Sequence, residues 1–184
     1  MPQLTPPMCM ADFFAASRGT WMTRRAVHHL DHQDDEFADS NLGVATTDAA
    51  GGARFWWESN LKEGARSDDH AAVLIDAPHK DDPRRGFLLR DKGYVEKQSV
   101  VSTYAFADDG VLTITTRYDT NVGIERCWFV TDDLRMRVSS VQCLDGVSMT
   151  TYCTEFRCPS ADDLTALRQQ AEALQANIDS TEPG

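Results

Sequence analysis

The stretch VVSTYAFADDGVLTITTRYDTNVGIERCWFVTDDLRMRVSSVQCLDGVSMTTYCTEFR (Val100–Arg157) decides the fold. It divides into runs rich in Val, Thr, Tyr, Phe and Trp: Val100–Phe106, Val111–Tyr118, Gly123–Val130, Leu134–Cys143 and Val147–Arg157. Clusters of Asp, Asn and Gly separate them. β-Branched and aromatic residues in short runs punctuated by turn formers read as successive antiparallel strands. Asp109-Gly110 and Asp145-Gly146 predict hairpins, because glycine supplies the backbone conformation that tight turns between twisted strands require.

The same texture extends back to Thr20, with further runs at Trp21–Leu30, Arg54–Glu58, Ala72–Ile75 and Phe87–Arg90, for about ten strands in all. No helix long enough for a crossover interrupts them, which argues against a parallel sheet. A meander of this length removes its exposed edges by closing on itself. The expectation is an all-β, antiparallel up-and-down β-barrel over residues 10–158. Met10–Ser17, with Phe13 and Phe14 on a helical pattern stopping at Gly19, predicts a short N-terminal cap helix. After the barrel, Ser160 and Asp163 resemble a capping box, and Leu164, Leu167, Ala171, Leu174 and Ile178 recur at helical spacing. A C-terminal helix over 160–178 is expected to pack on the barrel or on a partner, with a disordered tail at 179–184.

With 184 residues the chain is long enough for one domain with a core of its own. Asp and Glu number 29 against 18 Lys and Arg, a net charge of -11, which repels phosphate backbones and anionic lipid. Neither nucleic acid nor membrane is expected as a partner. No apolar run reaches the length of a transmembrane helix, and MPQLTPPMCMADFF lacks the basic and apolar regions of a secretory leader. The five cysteines, Cys9, Cys127, Cys143, Cys153 and Cys158, form no CxxC pair and no zinc-ligand spacing, and read as reduced thiols.

A two-residue turn at Asp145-Gly146 pairs Ser139 with Tyr152, Arg137 with Thr154 and Arg135 with Phe156. One face of that hairpin then carries Arg135, Arg137, Ser139, Thr150, Tyr152 and Thr154; the other carries Met136, Val138, Met149, Cys153, Glu155 and Arg157. Polarity alone does not decide which face is inside. A three-residue turn at Thr131-Asp132-Asp133 brings Glu125 to the Arg135/Arg137 face, and a two-residue turn sends it to the other. Two arginines at i and i+2, with a carboxylate and hydroxyls nearby, are enclosed by a small barrel only when solvated or occupied by a ligand. The competing reading is that this face points to water.

Trp56-Trp57 and His28-His29 each split across the two faces of a strand, so the histidines cannot chelate one metal together. Asp31, His32, Asp34, Asp35 and Glu36 read as a solvated acidic turn. There is no GxSxG, no HExxH and no glycine-rich phosphate loop, so nothing supports nucleophilic catalysis or a metal centre.

Two long strings go further. FFAASRGTWMTRRAVHHL (Phe13–Leu30) resembles the opening of the S-type phycobiliprotein lyases of the CpcS/CpeS kind, with their double Phe, Ser, Gly, Trp, Arg and His-His-Leu. GFLLRDKGYVEK (Gly86–Lys97), ERCWFVTDDLRMRVSSV and GVSMTTYCTEFR are similar to that family's GxLLRxxGYxEK, ERxWFxxxNLRLRTS and FxMxSFCSEIR segments. The likeness runs in order over most of Phe13–Arg157. Asp133, Val138 and Thr154 depart from the usual Asn, Thr and Ser, and the region 43–69 is shorter than in many members.

The resemblance implies a lipocalin-like barrel that binds an open-chain tetrapyrrole, phycoerythrobilin or phycocyanobilin, as substrate. It further implies transfer of that phycobilin to a cysteine of an apo-phycobiliprotein subunit, expected to be a β subunit, as a thioether. The alternative is a non-catalytic bilin carrier of the same fold. The compartment implied is cyanobacterial cytoplasm or plastid stroma, and a homodimer is possible. Arg135 and Arg137 suit propionates by fork-like, charge-assisted hydrogen bonds, and Glu125 suits pyrrole N–H groups or a protonated bilin. Trp57 and Tyr94 are expected to pack on the tetrapyrrole, Ser139 to add a polar contact, and Trp128 and Tyr152 to complete the bilin-binding set. No residue is assigned as catalytic, because the acceptor's thiol supplies the nucleophile. Covalent carriage by Cys153 is the weaker option, since that residue falls on the face not favoured as inner.

Overall fold

The computed structural model describes residues 5–30, 34–46, 51–59, 71–91 and 99–158, with the side chains of 56–59 left out. One helix, α1 (Met10–Ser17), is followed by ten strands. These are β1 (Gly19–His29), β2 (Glu36–Thr46), β3 (Gly52–Ser59), β4 (Ala71–His79), β5 (Asp82–Arg90), β6 (Val100–Phe106), β7 (Leu112–Arg117), β8 (Asn121–Thr131), β9 (Leu134–Cys143) and β10 (Gly146–Cys158). Each pairs antiparallel with its sequence neighbour, and β1 closes the barrel against β10. The up-and-down barrel expected from the strand pattern is the fold observed. The expected helix at 160–178 and the tail at 179–184 lie outside the described residues. No helix among the described residues is long and apolar enough to cross a membrane.

One strand escapes the reading of the sequence. β2 carries Asp39, Ser40, Asn41 and Gly43, which dilute its β signal, and Glu36 begins this strand rather than belonging to a loop. Its place is secured from both sides, by the ladder to β1 and by Leu42 and Val44, which alternate into the core.

α1 seals one end. Met10, Phe13 and Phe14 are buried among Phe55, Phe106 and Phe129, with Phe13 edge-on to Phe129 at 5.6 Å and to Phe106 at 6.3 Å. Burial of each such side chain contributes about 1.5–3 kcal/mol, which explains why eight residues of helix hold their place. Trp21 Nε1 donates to Ser17 O at 2.8 Å. Arg157 stacks over Trp21 and donates to the carbonyls of Ala16 and Arg18, satisfying acceptors that the last helical turn leaves open.

Both glycine hairpins form. Gly110, at φ +81°, donates to Ala107 O across the β6–β7 turn, and Gly146, at φ +132°, opens β10. The β9–β10 register differs from the expected one by a single residue. Cys143 faces Gly146, so Leu144 and Asp145 form the turn, and a bulge between Val147 and Met149 then places Arg135 opposite Glu155, Arg137 opposite Cys153 and Ser139 opposite Thr151. Because side chains alternate, that slip exchanges the faces of β10. Cys153 and Glu155 point inward, whereas Tyr152 points outward and is 48% exposed. The β8–β9 connection corrects itself: Thr131 faces Leu134, yet a shift between Phe129 and Thr131 restores the pairing of Glu125 with Ser139. Glu125 therefore joins the arginine face.

Candidate functional site

The barrel interior holds a small cavity of about 40 Å³. Its floor is α1, through Met10, Phe13 and Phe14; its far wall is Leu42, Phe55, Leu74, Leu88, Leu112 and Ile114; its polar wall is Glu125, Cys127, Arg135 and Arg137, joined by Arg90.

The polar wall is a chain of alternating charges across three strands. Arg135 Nε meets Glu155 Oε2 at 2.5 Å, Glu155 Oε1 lies 3.1 Å from Arg137 Nη2, and Arg137 Nη1 lies 3.3 Å from Glu125 Oε2. Exposure rises along it. Glu155 and Arg135 side chains are 0% and 3% exposed, whereas Arg137 and Glu125 are 19% and 20% exposed. The deep pair is locked: Arg135 also donates to Ser17 Oγ at 2.8 Å and lies 4.9 Å over the Trp21 ring. The upper pair retains access to the cavity. Burial pushes the Glu155 carboxyl up, but the attraction of Arg137 and Arg135 and their hydrogen bonds outweigh it and hold the group below the usual carboxylate range. Burial raises the Cys127 thiol well above its ordinary value, with Glu125 adding to the effect, and burial likewise raises Cys153.

Of the residues expected to bind ligand, Arg135, Arg137 and Glu125 meet in this pocket, and Ser139 lies on the same face, opposite Glu125 and Thr151. Two fall elsewhere. Trp128 lies on β8 between the inward-facing Cys127 and Phe129 and so faces outward, and Tyr152 is outward by the register slip. Trp57 pairs with Leu42 in the β2–β3 ladder, with its side chain outside the description, and Tyr94 lies outside the described residues. Glu155, Cys127 and Arg90 are the interior groups that the sequence reading did not assign to the site. Arg135 is not solvated as expected: it is paired and covered. The five cysteines are free thiols. Among the described residues no group of three His, Cys, Asp or Glu could hold a metal ion.

A family model described as CpeS-like protein matches residues 9–50 and 41–158. The chain belongs to the CpeS-like family. Among curated relatives, a chromophore lyase CpcS/CpeS of Synechococcus sp. (strain WH8020) is 58% identical, over 92% of this chain and 94% of its own length. Chromophore lyase CpcS/CpeS 4 of Trichodesmium erythraeum (strain IMS101) is 42% identical, over 93% and 98%. Among solved structures, the S-type phycobiliprotein lyase CPES from Guillardia theta superposes with a TM-score of 0.65 at 27% identity, covering 83% of this chain and 94% of that one. The CpeS-like barrel and its charged inner wall thus sit on a sequence similar to curated chromophore lyases along nearly its whole length.

Proposed function

We propose that the protein is an S-type bilin lyase that binds a phycobilin non-covalently in the barrel and delivers it to a cysteine of an apo-phycobiliprotein subunit, forming a thioether. The observation that carries the reading is the half-open Arg137–Glu125 pair on the polar wall of a pocket whose other walls are apolar. A bilin is a conjugated apolar strip with two propionates and four pyrrolic nitrogens. Arg137 offers a guanidinium fork to a propionate, Glu125 an acceptor for pyrrole N–H groups or a counter-ion for a protonated bilin, and the aliphatic and phenyl walls the surface for the rings. Arg135 and Glu155 hold that arrangement in place from below.

The chemistry belongs to the acceptor's thiol, which adds to the exocyclic ethylidene of ring A. Holding the bilin in one conformation and presenting ring A to one cysteine lowers the entropic barrier and disfavours attachment elsewhere. Phycoerythrobilin and phycocyanobilin both carry the ethylidene and propionates that the pocket reads, and a β-subunit cysteine is the proposed acceptor. The compartment that fits is cyanobacterial cytoplasm or plastid stroma, where free thiols persist.

Co-expression with bilin biosynthesis and an apo-subunit, followed by a denaturing gel scored for zinc-enhanced fluorescence, tests the reading. A fluorescent subunit band that depends on this chain is expected. Bilin bound by the protein but never passed to any subunit leaves a carrier and overturns the lyase.

A further inference from the structure

The polar stripe does not end at Arg137. Arg25 stands opposite Cys153 in the β1–β10 ladder, and four residues on, at the end of the barrel away from α1, His29 closes β1. Residues 25, 27 and 29 share the inner face with Trp21 and Thr23, and Glu36, paired with Val27, shares it from β2. His29 Nε2 lies 3.0 Å from Glu36 Oε1, and Arg25 Nη2 lies 3.9 Å from Glu36 Oε2. The His29 ring is mostly covered while Glu36 is exposed. His28, by contrast, faces outward, against Phe37 and Tyr152.

An imidazole whose one nitrogen is held by a carboxylate is oriented, and its tautomer is fixed, by that bond. With Nε2–H donated to Glu36, Nδ1 carries the free lone pair. Resting on the lyase reading above, we infer that His29, positioned by Glu36, is the proton carrier for thioether formation at the mouth of the barrel. Because α1 fills the opposite end of the barrel, a propionate on Arg137 directs an outer ring toward the His29 end, where an incoming cysteine would arrive.

The step balances as an addition. The acceptor's S–H proton passes to Nδ1 of His29; the sulfur electron pair forms the C–S bond to the exocyclic ethylidene carbon; the π pair moves to the ring carbon, which takes the proton back from His29. Nothing is oxidised or reduced, and no group leaves. Among the described residues, the charged and titratable groups about His29 are Glu36 on β2, which also meets Arg25, and the neighbouring His28, which faces outward with Asp35 on its Nδ1; the facing β10 positions Met149 and Thr151 carry no charge.

The test uses protein preloaded with phycocyanobilin, mixed with an apo-subunit, comparing wild type with His29→Gln, Glu36→Gln and the outward-facing Arg24→Ala. His29→Gln is expected to bind phycocyanobilin within about twofold of wild type yet attach it at least about a hundredfold more slowly at neutral pH, the lower end of the range for loss of a general base. The deficit should shrink as pH approaches about 8.5, where a cysteine ionises unaided. Glu36→Gln should fall between, and Arg24→Ala should match wild type. A wild-type rate and pH profile in His29→Gln overturns the inference, as does a loss of equal size at every pH, which marks positioning alone. Failure of the wild type itself to attach bilin overturns the lyase reading and this inference with it.

Discussion

Arg135 and Glu155 face each other across the β9–β10 ladder and meet inside the barrel at 2.5 Å, both almost wholly buried. Such a pair is held in place less by its own net attraction than by the expense of separating it. Arg135→Ala leaves Glu155 with only the more exposed Arg137, frees Ser17 Oγ from its bond to β9 and uncovers Trp21. The expected loss is about 3–5 kcal/mol, the range for breaking a buried pair, read as a lower urea midpoint. The double variant Arg135→Met, Glu155→Met, which leaves no orphaned charge, should recover most of it. Unchanged stability in Arg135→Ala would show the ring of partners to be dispensable.

Arg137 is the arginine that a ligand can reach. Its replacement by Ala should weaken phycobilin binding by about 1.5–3 kcal/mol, the scale for hydrogen bonds to charged groups, with a smaller stability loss than at Arg135. Arg137→Lys keeps the charge but not the fork, and should recover only part of the affinity. Spectral titration beside a denaturation curve separates the two effects; equal affinity in all three proteins would move the propionate site elsewhere.

Glu125→Gln preserves shape and removes charge beside the bound chromophore. It should shift the absorption maximum of the bound bilin more than it alters affinity, because a carboxylate near pyrrolic nitrogens favours the protonated pigment. A spectrum identical to wild type would place Glu125 away from the nitrogens.

The pH dependence of stability follows from Glu155. Its folded carboxyl lies below the usual range, so its contribution is complete above the unfolded value of about 4.3 and is lost as pH falls through the folded value. Asp76 acts oppositely. Burial raises its carboxyl despite the nearby Tyr104 hydroxyl, which pulls the other way, so its contribution is present in acid and lost as pH rises through the raised value. Glu155→Gln should flatten the acid limb of urea midpoints measured between pH 3 and 7, and Asp76→Asn should leave that limb in place.

How far the site could be read from sequence depended on single residues. The strand runs and both glycine turns carry local signals, so the barrel was legible without any pocket. The faces of β10 were not. Ser148 sits in a bulge that no turn motif announces, and one extra residue exchanges Tyr152 and Thr154 for Cys153 and Glu155. Glu125 was recoverable only as one of two turn lengths, since the shift at Phe129/Thr131 gives a two-residue connection the register of a three-residue one. Glu155 had a visible signal, a carboxylate two positions from a buried thiol on a β-rich run, but its meaning depended on that register. The stretch containing Tyr94 bears on the family likeness alone.

The slip also alters what the interior thiols imply. Cys153 lies on the inner face, 3.6 Å from Arg137 Nη2, and Cys127 lines the pocket 3.9 Å from Glu125 Oε1, so both thiols adjoin the Arg137–Glu125 pair proposed to meet the bilin. A thiol adds to the ring A ethylidene as thiolate, and burial holds both groups protonated, with Glu125 reinforcing the effect at Cys127. The loaded protein kept without acceptor at pH 7.5 should therefore yield only free pigment in acid urea and no zinc-fluorescent band of its own. Brief iodoacetamide treatment of the native protein should mark Cys9 and Cys143, which are partly accessible, before the buried Cys127, Cys153 and Cys158. A bilin covalently bound to a peptide containing Cys153 or Cys127 would show that the wall reacts and would restore a covalent carrier to the transfer.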